Sequence, residues 1–459
     1  MKTPMDNQPQ ELVVPSERVK VAATVDVCVI GGSCTGVFAA IRAARLGATV
    51  ALVERQNRFG GVATCGLVGM WHTLHDYTRE RQIIGGLTFE TLERLERRHA
   101  VSDFRNPDAS ARGGVRFNPE ELTLELDELV AGHDKIKVWL NTAYSRPLMN
   151  EDGRVDAVII ENKSGRSAIR AKVFIDASGD GVLCRDAGLP TILPPHPQPP
   201  TACARLEGWE SLGALNIKEL CDQYRDRFPN LPGGYAWGMS IPGTSAFMLA
   251  GTRVLECDCD DADAITRAEI ESRRQVRALM DMFRAARPEG HLSLLALPSL
   301  MGIREGRHIV PLRLLRGEDM LAGTRFPDAI GNGTYPVDIH NDRDATISFK
   351  RLDGGYTTYS GGKVIDSGRW LPEGQVLPFY QFTLGALIPQ GTRNLICAGR
   401  MLGADREAFG AIRVMVNLNQ CGEAAGVAAW QALDGDCDLP AVDPGETRAL
   451  LARGGSIII

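Results

Sequence analysis

The most constraining feature of the chain is a glycine turn, Gly31-Gly32-Ser33-Cys34-Thr35-Gly36, set between two apolar segments of different period. Before it, Val25-Asp26-Val27-Cys28-Val29-Ile30 is short and mostly apolar, as expected for a parallel strand covered on both faces. After it, Val37, Ala40, Ile41 and Ala44 recur at the spacing of one helix face. Gly47 ends that helix, and Ala48 to Val53 supplies a second buried strand that closes on Glu54. Strand, turn, helix and strand within about 30 residues make a βαβ unit. In such a turn, backbone N–H groups at a helix start can hold a pyrophosphate, and the helix dipole adds to the attraction. Glu54 follows Gly31 by 23 positions, where an acid can take the ribose hydroxyls of an adenosine. Ser33 stands where the G-x-G-x-x-G pattern has its middle glycine.

Further along, Asn118-Pro119-Glu120-Glu121 combines an N-cap, a proline at the first helical position and early acids. Leu122, Leu126, Leu129 and Val130 then predict one apolar helix face, and Lys137 to Leu140 the next strand. Turn signals at Glu151-Asp152-Gly153 and Lys163-Ser164-Gly165 flank Val155 to Ile160, which predicts a three-stranded antiparallel meander. Lys172 to Ala177 is read as a separate strand returning to the parallel sheet. Six prolines between Pro190 and Pro200 read as a stiff linker. Arg393 to Ala398 is again a short apolar strand, and Gly410 is expected to open one long helix from Ala411 to about Leu433.

The expected fold class is therefore α/β: a discontinuous Rossmann-type nucleotide-binding domain with a β-meander, plus an inserted α+β substrate domain. The expected boundaries are a mobile tail at 1–22, the nucleotide domain at 23–190 and 391–445, a cap at 191–390, and a C-terminal tail at 446–459.

Composition narrows the function classes. Lys plus Arg is 51 against 57 for Asp plus Glu, a net charge of −6, which argues against a phosphate-neutralising nucleic-acid binder. The 11 cysteines are odd in number and form no CxxC, so neither a disulfide framework nor a zinc ribbon is indicated. Cys257-Asp258-Cys259 has no neighbouring histidine or third cysteine to complete a metal site. The opening residues lack an apolar signal core and no long apolar run follows, so a cytoplasmic protein without a membrane partner is expected.

Three further elements occur in order: Arg58-Phe59-Gly60-Gly61-Val62-Ala63-Thr64-Cys65-Gly66, then Ile175-Asp176-Ala177-Ser178-Gly179-Asp180-Gly181, then Ala398-Gly399-Arg400. With the first turn, they resemble flavoproteins of the two-lobed glutathione-reductase-like fold. From about residue 24 to 435 the chain is similar to the FAD-dependent oxidoreductases, a group related to thiazole-synthase-like and heterodisulfide-reductase-A-like flavoproteins. Gly302-Ile303-Arg304-Glu305-Gly306-Arg307, Tyr335-Pro336-Val337-Asp338-Ile339-His340 and Gly410-Ala411-Ile412-Arg413-Val414 extend the resemblance.

That resemblance implies bound FAD. The residues it implies as contacts are Gly31, Gly32, Ser33, Cys34, Thr35, Gly36, Glu54, Arg55, Gly60, Gly61, Thr64, Ala143, Ala177, Gly179, Asp180, Gly399, Arg400, Ala411 and Arg413. Pyridine nucleotide–disulfide reductases carry CxxxxC after the paired glycine. Here only Cys65 stands there, so dithiol chemistry at that position is not expected.

A helix N-terminus near Gly410-Ala411 would place positive potential at the flavin N1–C2=O edge, aided by Arg400 and Arg413. On the substrate side, His340 is a candidate general base, against an equal case for a structural histidine. Arg304 and Arg307 are candidates to hold an anionic or polyhydroxylated substrate, against internal ion pairs. Tyr380 is a candidate pocket wall, against the default of a buried aromatic, and His72 and His75 are candidates to face the flavin ring. The expected reaction is hydride transfer between a small polar alcohol or amine and flavin N5. The alternatives are a flavin monooxygenase and an electron-relay subunit of the heterodisulfide-reductase-A type. The electron acceptor and oligomeric state are left open.

Overall fold

A computed structural model describes residues 12–106, 108, 114–234 and 236–459. The expected βαβ unit is present as strand β1 (Lys20–Ile30), helix α1 (Cys34–Arg45) and strand β2 (Val50–Val53). Helix α1 starts on Ser33, whose hydroxyl accepts from the Gly36 N–H at 3.4 Å. It buries Val37, Phe38, Ile41 and Ala44 against the sheet.

The parallel sheet runs Ile136–Trp139, β2, β1, then Gly165–Asp176, with Val155–Asn162 and Ala143–Met149 continuing it antiparallel. Leu395–Cys397 adds a parallel strand beside the end of Gly165–Asp176. Register places Ile30 beside Val53 and Asp176, and Asp176 beside Cys397. The carboxyl ends of four parallel strands thus meet along one edge, the usual position of a ligand crevice in an open α/β sheet.

The helix Met415–Asp434 lies against α1 at backbone distance. A Cβ on Gly422 would stand 2.1 Å from the Thr35 carbonyl oxygen, and one on Gly426 2.2 Å from that of Ala39. Only glycine admits this approach, which brings the two ends of the chain together.

Several boundaries differ from the sequence reading. Lys20 already pairs with Ser167, so residues 20–22 belong to β1, and residues 1–11 of the expected tail lie outside the described residues. The third meander strand and the returning parallel strand are one 12-residue strand, Gly165–Asp176. Its first half pairs with Val155–Asn162 and its last three residues with Leu395–Cys397. The proline segment is no free linker: Thr191–Ile192 pairs with His308–Ile309, and Gln198 is fully buried.

The expected cap at 191–390 is not one unit either. Ala204, Leu249, Leu279 and Phe283 share a core of their own, beneath the antiparallel sheet formed by residues 204–207, 237–240, 247–250 and 293–296. Ile330, Tyr380, Phe382 and Leu384 instead join Val29, Phe38 and Ile175 in the main core. The C-terminal residues are likewise packed: Pro444–Arg453 is a helix, and the Ile459 carbonyl accepts from Gln381 at 2.9 Å. Among the described residues, no helix is long and apolar enough to cross a membrane.

Candidate functional site

The crevice begins where β1 ends. Gly31 has φ +106° and donates its N–H to the Val53 carbonyl at 2.8 Å. A Cβ there would stand 2.4 Å from the Ala177 carbonyl oxygen, so the turn presses directly on the neighbouring strand end. Gly60 donates to the Gly32 carbonyl at 2.8 Å, which ties the paired-glycine segment to the first turn. Thr64 is buried and its hydroxyl donates to the Phe59 carbonyl at 2.5 Å, so it folds that segment onto itself. Glu54 accepts from the N–H groups of Gly32 at 2.6 Å and Gln56 at 2.7 Å. Arg55 beside it is exposed, and Ala143 lies next to Thr142, whose N–H donates to the Glu54 carbonyl at 3.0 Å.

Across the crevice, Asp180 pairs with Arg400 and stands 4.0 Å from Arg55. Gly179 and Gly399, both at positive φ, bring these two turns side by side. Asp176 is fully buried. Burial raises its pKa, while bonds from Ser178, Leu183 and Cys184 work in the other direction.

The C-terminal helix departs from expectation. Arg406–Ile412 is a short helix capped by Asp405, and the long helix starts afresh at Met415, with Val414 as its N-cap. Ala411 therefore lies in a last turn rather than a first, and its carbonyl accepts from the Tyr380 hydroxyl at 2.9 Å. The free N–H groups belong to the turn beginning at Met415. Neighbouring Gly410 allows the close approach of strand Val337–His340: a Cβ there would stand 3.0 Å from the Asp338 carbonyl oxygen.

That strand organises a buried polar cluster. Asp338 and His340 alternate on one face, as strand geometry requires. Asp338 accepts from Tyr335 at 2.6 Å and from Arg413 at 2.9 Å, and lies 3.2 Å from His340 Nε2. Burial opposes ionisation of Asp338, but these neighbours outweigh it and hold the carboxyl far below its usual range. Burial pulls His340 down to about 3 and His72 to about 4, so both imidazoles are neutral near pH 7. With His340 neutral, Arg413 is the cation that balances Asp338. Arg304 is pulled down to about 9, first by burial and then by repulsion from Arg413 and Arg253. It donates to the Pro199 carbonyl at 2.5 Å and forms no ion pair among the described residues. His72 stacks on Tyr335 with ring centroids 4.1 Å apart.

The substrate-side candidates are placed as follows. His340 Nδ1 accepts from Arg253 Nε at 3.4 Å and Nε2 lies 3.2 Å from Asp338 Oδ1, an environment that suits a structural histidine. Arg307 pairs with Asp260 and donates to Thr191 at 2.9 Å, apart from Arg304. Residues 302–307 form no helix, so a spacing of three does not put the two arginines on one face. Tyr380 is 1% exposed and its hydroxyl is used internally. His75 is half-buried, and burial lowers its pKa.

Sequence reasoning places Tyr335 and Asp338 within a resembling segment without giving them a role, and it misses Arg253. Arg253 reaches His340 across 87 residues, and nothing local in the sequence announces it.

The donor set suits a bound dinucleotide. The first turn of α1 carries no acidic residue, its leading N–H groups lack intrahelical partners, and it faces the crevice where the strand ends meet. The fold and crevice are those of an α/β flavoprotein. The chain belongs to the FAD dependent oxidoreductase family, whose model matches residues 26–451, and the cofactor of that family is FAD. Curated proteins include no significant match to the chain.

Among solved structures, a geranylgeranyl bacteriochlorophyll reductase-like protein of Thermoplasma acidophilum is similar at 14% identity and a TM-score of 0.48, covering 94% of this chain and 84% of that one. A p-nitrophenol 4-monooxygenase of Pseudomonas putida is similar at 13% identity and a TM-score of 0.40, covering 63% and 71%. The myxobacterial chondrochloren halogenase is similar at 13% identity and a TM-score of 0.43, covering 93% and 79%.

Proposed function

We propose that this FAD-dependent oxidoreductase oxidises a small anionic alcohol or amine bound beside the polar cluster of Arg304, Tyr335 and His72. Bound FAD supplies the acceptor for the two electrons and the hydrogen on carbon. In this reading the turn Gly31–Gly36 and Glu54 hold the dinucleotide, and Gly60, Gly61, Gly179 and Gly399 admit it closely. Arg400, through its pair with Asp180, fixes the shape of the crevice wall.

The observation that carries the reading is Arg304. Arg304 is half-buried, is repelled by the guanidinium groups of Arg413 and Arg253 and attracted by Asp338, and forms no ion pair of its own among the described residues. Asp338 is already shared with Arg413, so the Arg304 charge is only partly balanced, and an anionic group on a substrate would complete the balance. Arg304 then binds and orients the substrate through a charge-assisted pair. His72 is the group that takes the O–H or N–H proton, because its imidazole is neutral and no protein hydrogen bond engages it among the described residues. Asp338 and His340 fix Tyr335 and Arg413 within that cluster.

The test is anaerobic mixing of the flavin-loaded protein with matched alcohols and amines that carry or lack a carboxylate. Loss of flavin absorbance with the anionic members supports the reading. Equal bleaching by neutral analogues overturns the substrate class, and oxygen-dependent hydroxylation of the product overturns the reaction.

A further inference from the structure

Cys257 and Cys259 lie outside the site described above, in the loop between Gly251 and the helix Ala262–Ala286. Their sulfurs are 3.9 Å apart, and the Cys257 thiol lies 3.8 Å from the Ala264 carbonyl. The loop is anchored on both sides of the pair. Glu256 N–H donates to the Asp342 carbonyl at 3.3 Å, Asp260 is clamped by Arg307, and Asp261 caps the following helix. Cys257 also borders a cleft of about 340 Å³ that His196, Asp342 and Arg343 line. The other adjacent thiols, Cys184 in the helix Val182–Asp186 and Cys397 in the strand Leu395–Cys397, are fully buried.

We propose that Cys257 and Cys259 form a redox-active dithiol that exchanges with a small-molecule disulfide entering this cleft. The Cys257 thiolate attacks one sulfur of the incoming disulfide, and one thiolate leaves. Cys259 then loses its proton and attacks the Cys257 sulfur, closing an intrachain disulfide and releasing the second thiolate. Two protein thiols are oxidised to one disulfide, and the incoming disulfide is reduced to two thiols. The order follows from the contact between the sulfurs. The Cys259 S–H is donated to Cys257, which favours the thiolate at Cys257 and raises the pKa of Cys259. The proposal is independent of the substrate reading above.

The experiment treats the flavin-loaded protein with oxidised glutathione, alkylates the remaining thiols and maps the peptides by mass. The expected result is loss of two hydrogens from the peptide holding Cys257 and Cys259, reversed by a dithiol reductant, with Cys184 and Cys397 still alkylated. Cys259→Ser should accumulate a glutathionyl adduct on Cys257, whereas Cys257→Ser should leave Cys259 largely unmodified. A wild-type peptide that stays reduced while the more exposed Cys437 is modified overturns the proposal. Equal adducts in the two serine variants also overturn it, since simple access would then explain the reaction.

Discussion

The guanidinium of Arg42 meets the carboxylate of Glu423, 381 residues further along the chain, with Nε donating to Oε2 at 2.7 Å. The pair is buried between α1 and the helix Met415–Asp434. Glu423 also accepts from the Leu87 N–H and the Ser456 hydroxyl, both at 3.1 Å, so one carboxylate joins four parts of the sequence. Glu423→Ala leaves Arg42 buried without its counter-charge and should cost about 3–5 kcal/mol in denaturant unfolding. Replacing both residues by methionine should cost much less. A double variant as unstable as the single one would mean that the charge pair is not what matters there.

Glu54 receives two backbone N–H groups at the end of β2. Glu54→Ala should weaken FAD retention roughly tenfold or more, with a loss of about 1.5–3 kcal/mol for the charged hydrogen bonds. The flavin-to-protein ratio after dialysis, read beside a melting curve, checks this. Full flavin content in a folded variant would remove Glu54 from the cofactor site.

Arg304→Gln should keep bound flavin and the fold while raising KM for an anionic substrate by roughly 10- to 100-fold. Neutral analogues should be little affected. If both substrate types lose equally, Arg304 serves the structure rather than recognition.

His340 and His72 are held neutral with pKa values of about 3 and 4, below the ordinary 6.5. A depressed folded-state value means that the unfolded chain binds more protons as pH falls below 6.5. The stabilisation is complete above 6.5 and is lost toward the folded values. Between pH 6.5 and 4.5 stability should fall by up to about 1.4 kcal/mol per pH unit for each histidine. His340→Asn should flatten this dependence while leaving anaerobic flavin reduction close to normal. A large loss of reduction rate in a well-folded variant would return His340 to the chemistry.

The βαβ unit was legible because strand, glycine turn and helix each have a local period and follow one another directly. The long helix was placed four residues early because the break at Arg413-Val414 carries neither proline nor glycine. At the break, the Arg413 side chain reaches Asp338 of a distant strand, a contact that no local pattern announces. From sequence, His340 reads as a candidate base or a structural histidine in a loop; it ends the strand Val337–His340 between Asp338 and Arg253, and only the assembled fold brings Arg253 there.

The strand Gly165–Asp176 has consequences for how the chain is made. Its last three residues find their outer neighbour only when Leu395–Cys397 arrives. During synthesis at about 5–20 residues per second, the ribosome needs on the order of ten to forty seconds to add the intervening chain. Through that interval the nascent sheet presents an open edge at the same strand ends that later form the cofactor crevice. That edge is covered only when Leu395–Cys397 arrives, and the outer face of α1 only when the helix Met415–Asp434 follows, so completion of the cofactor crevice waits for these late segments.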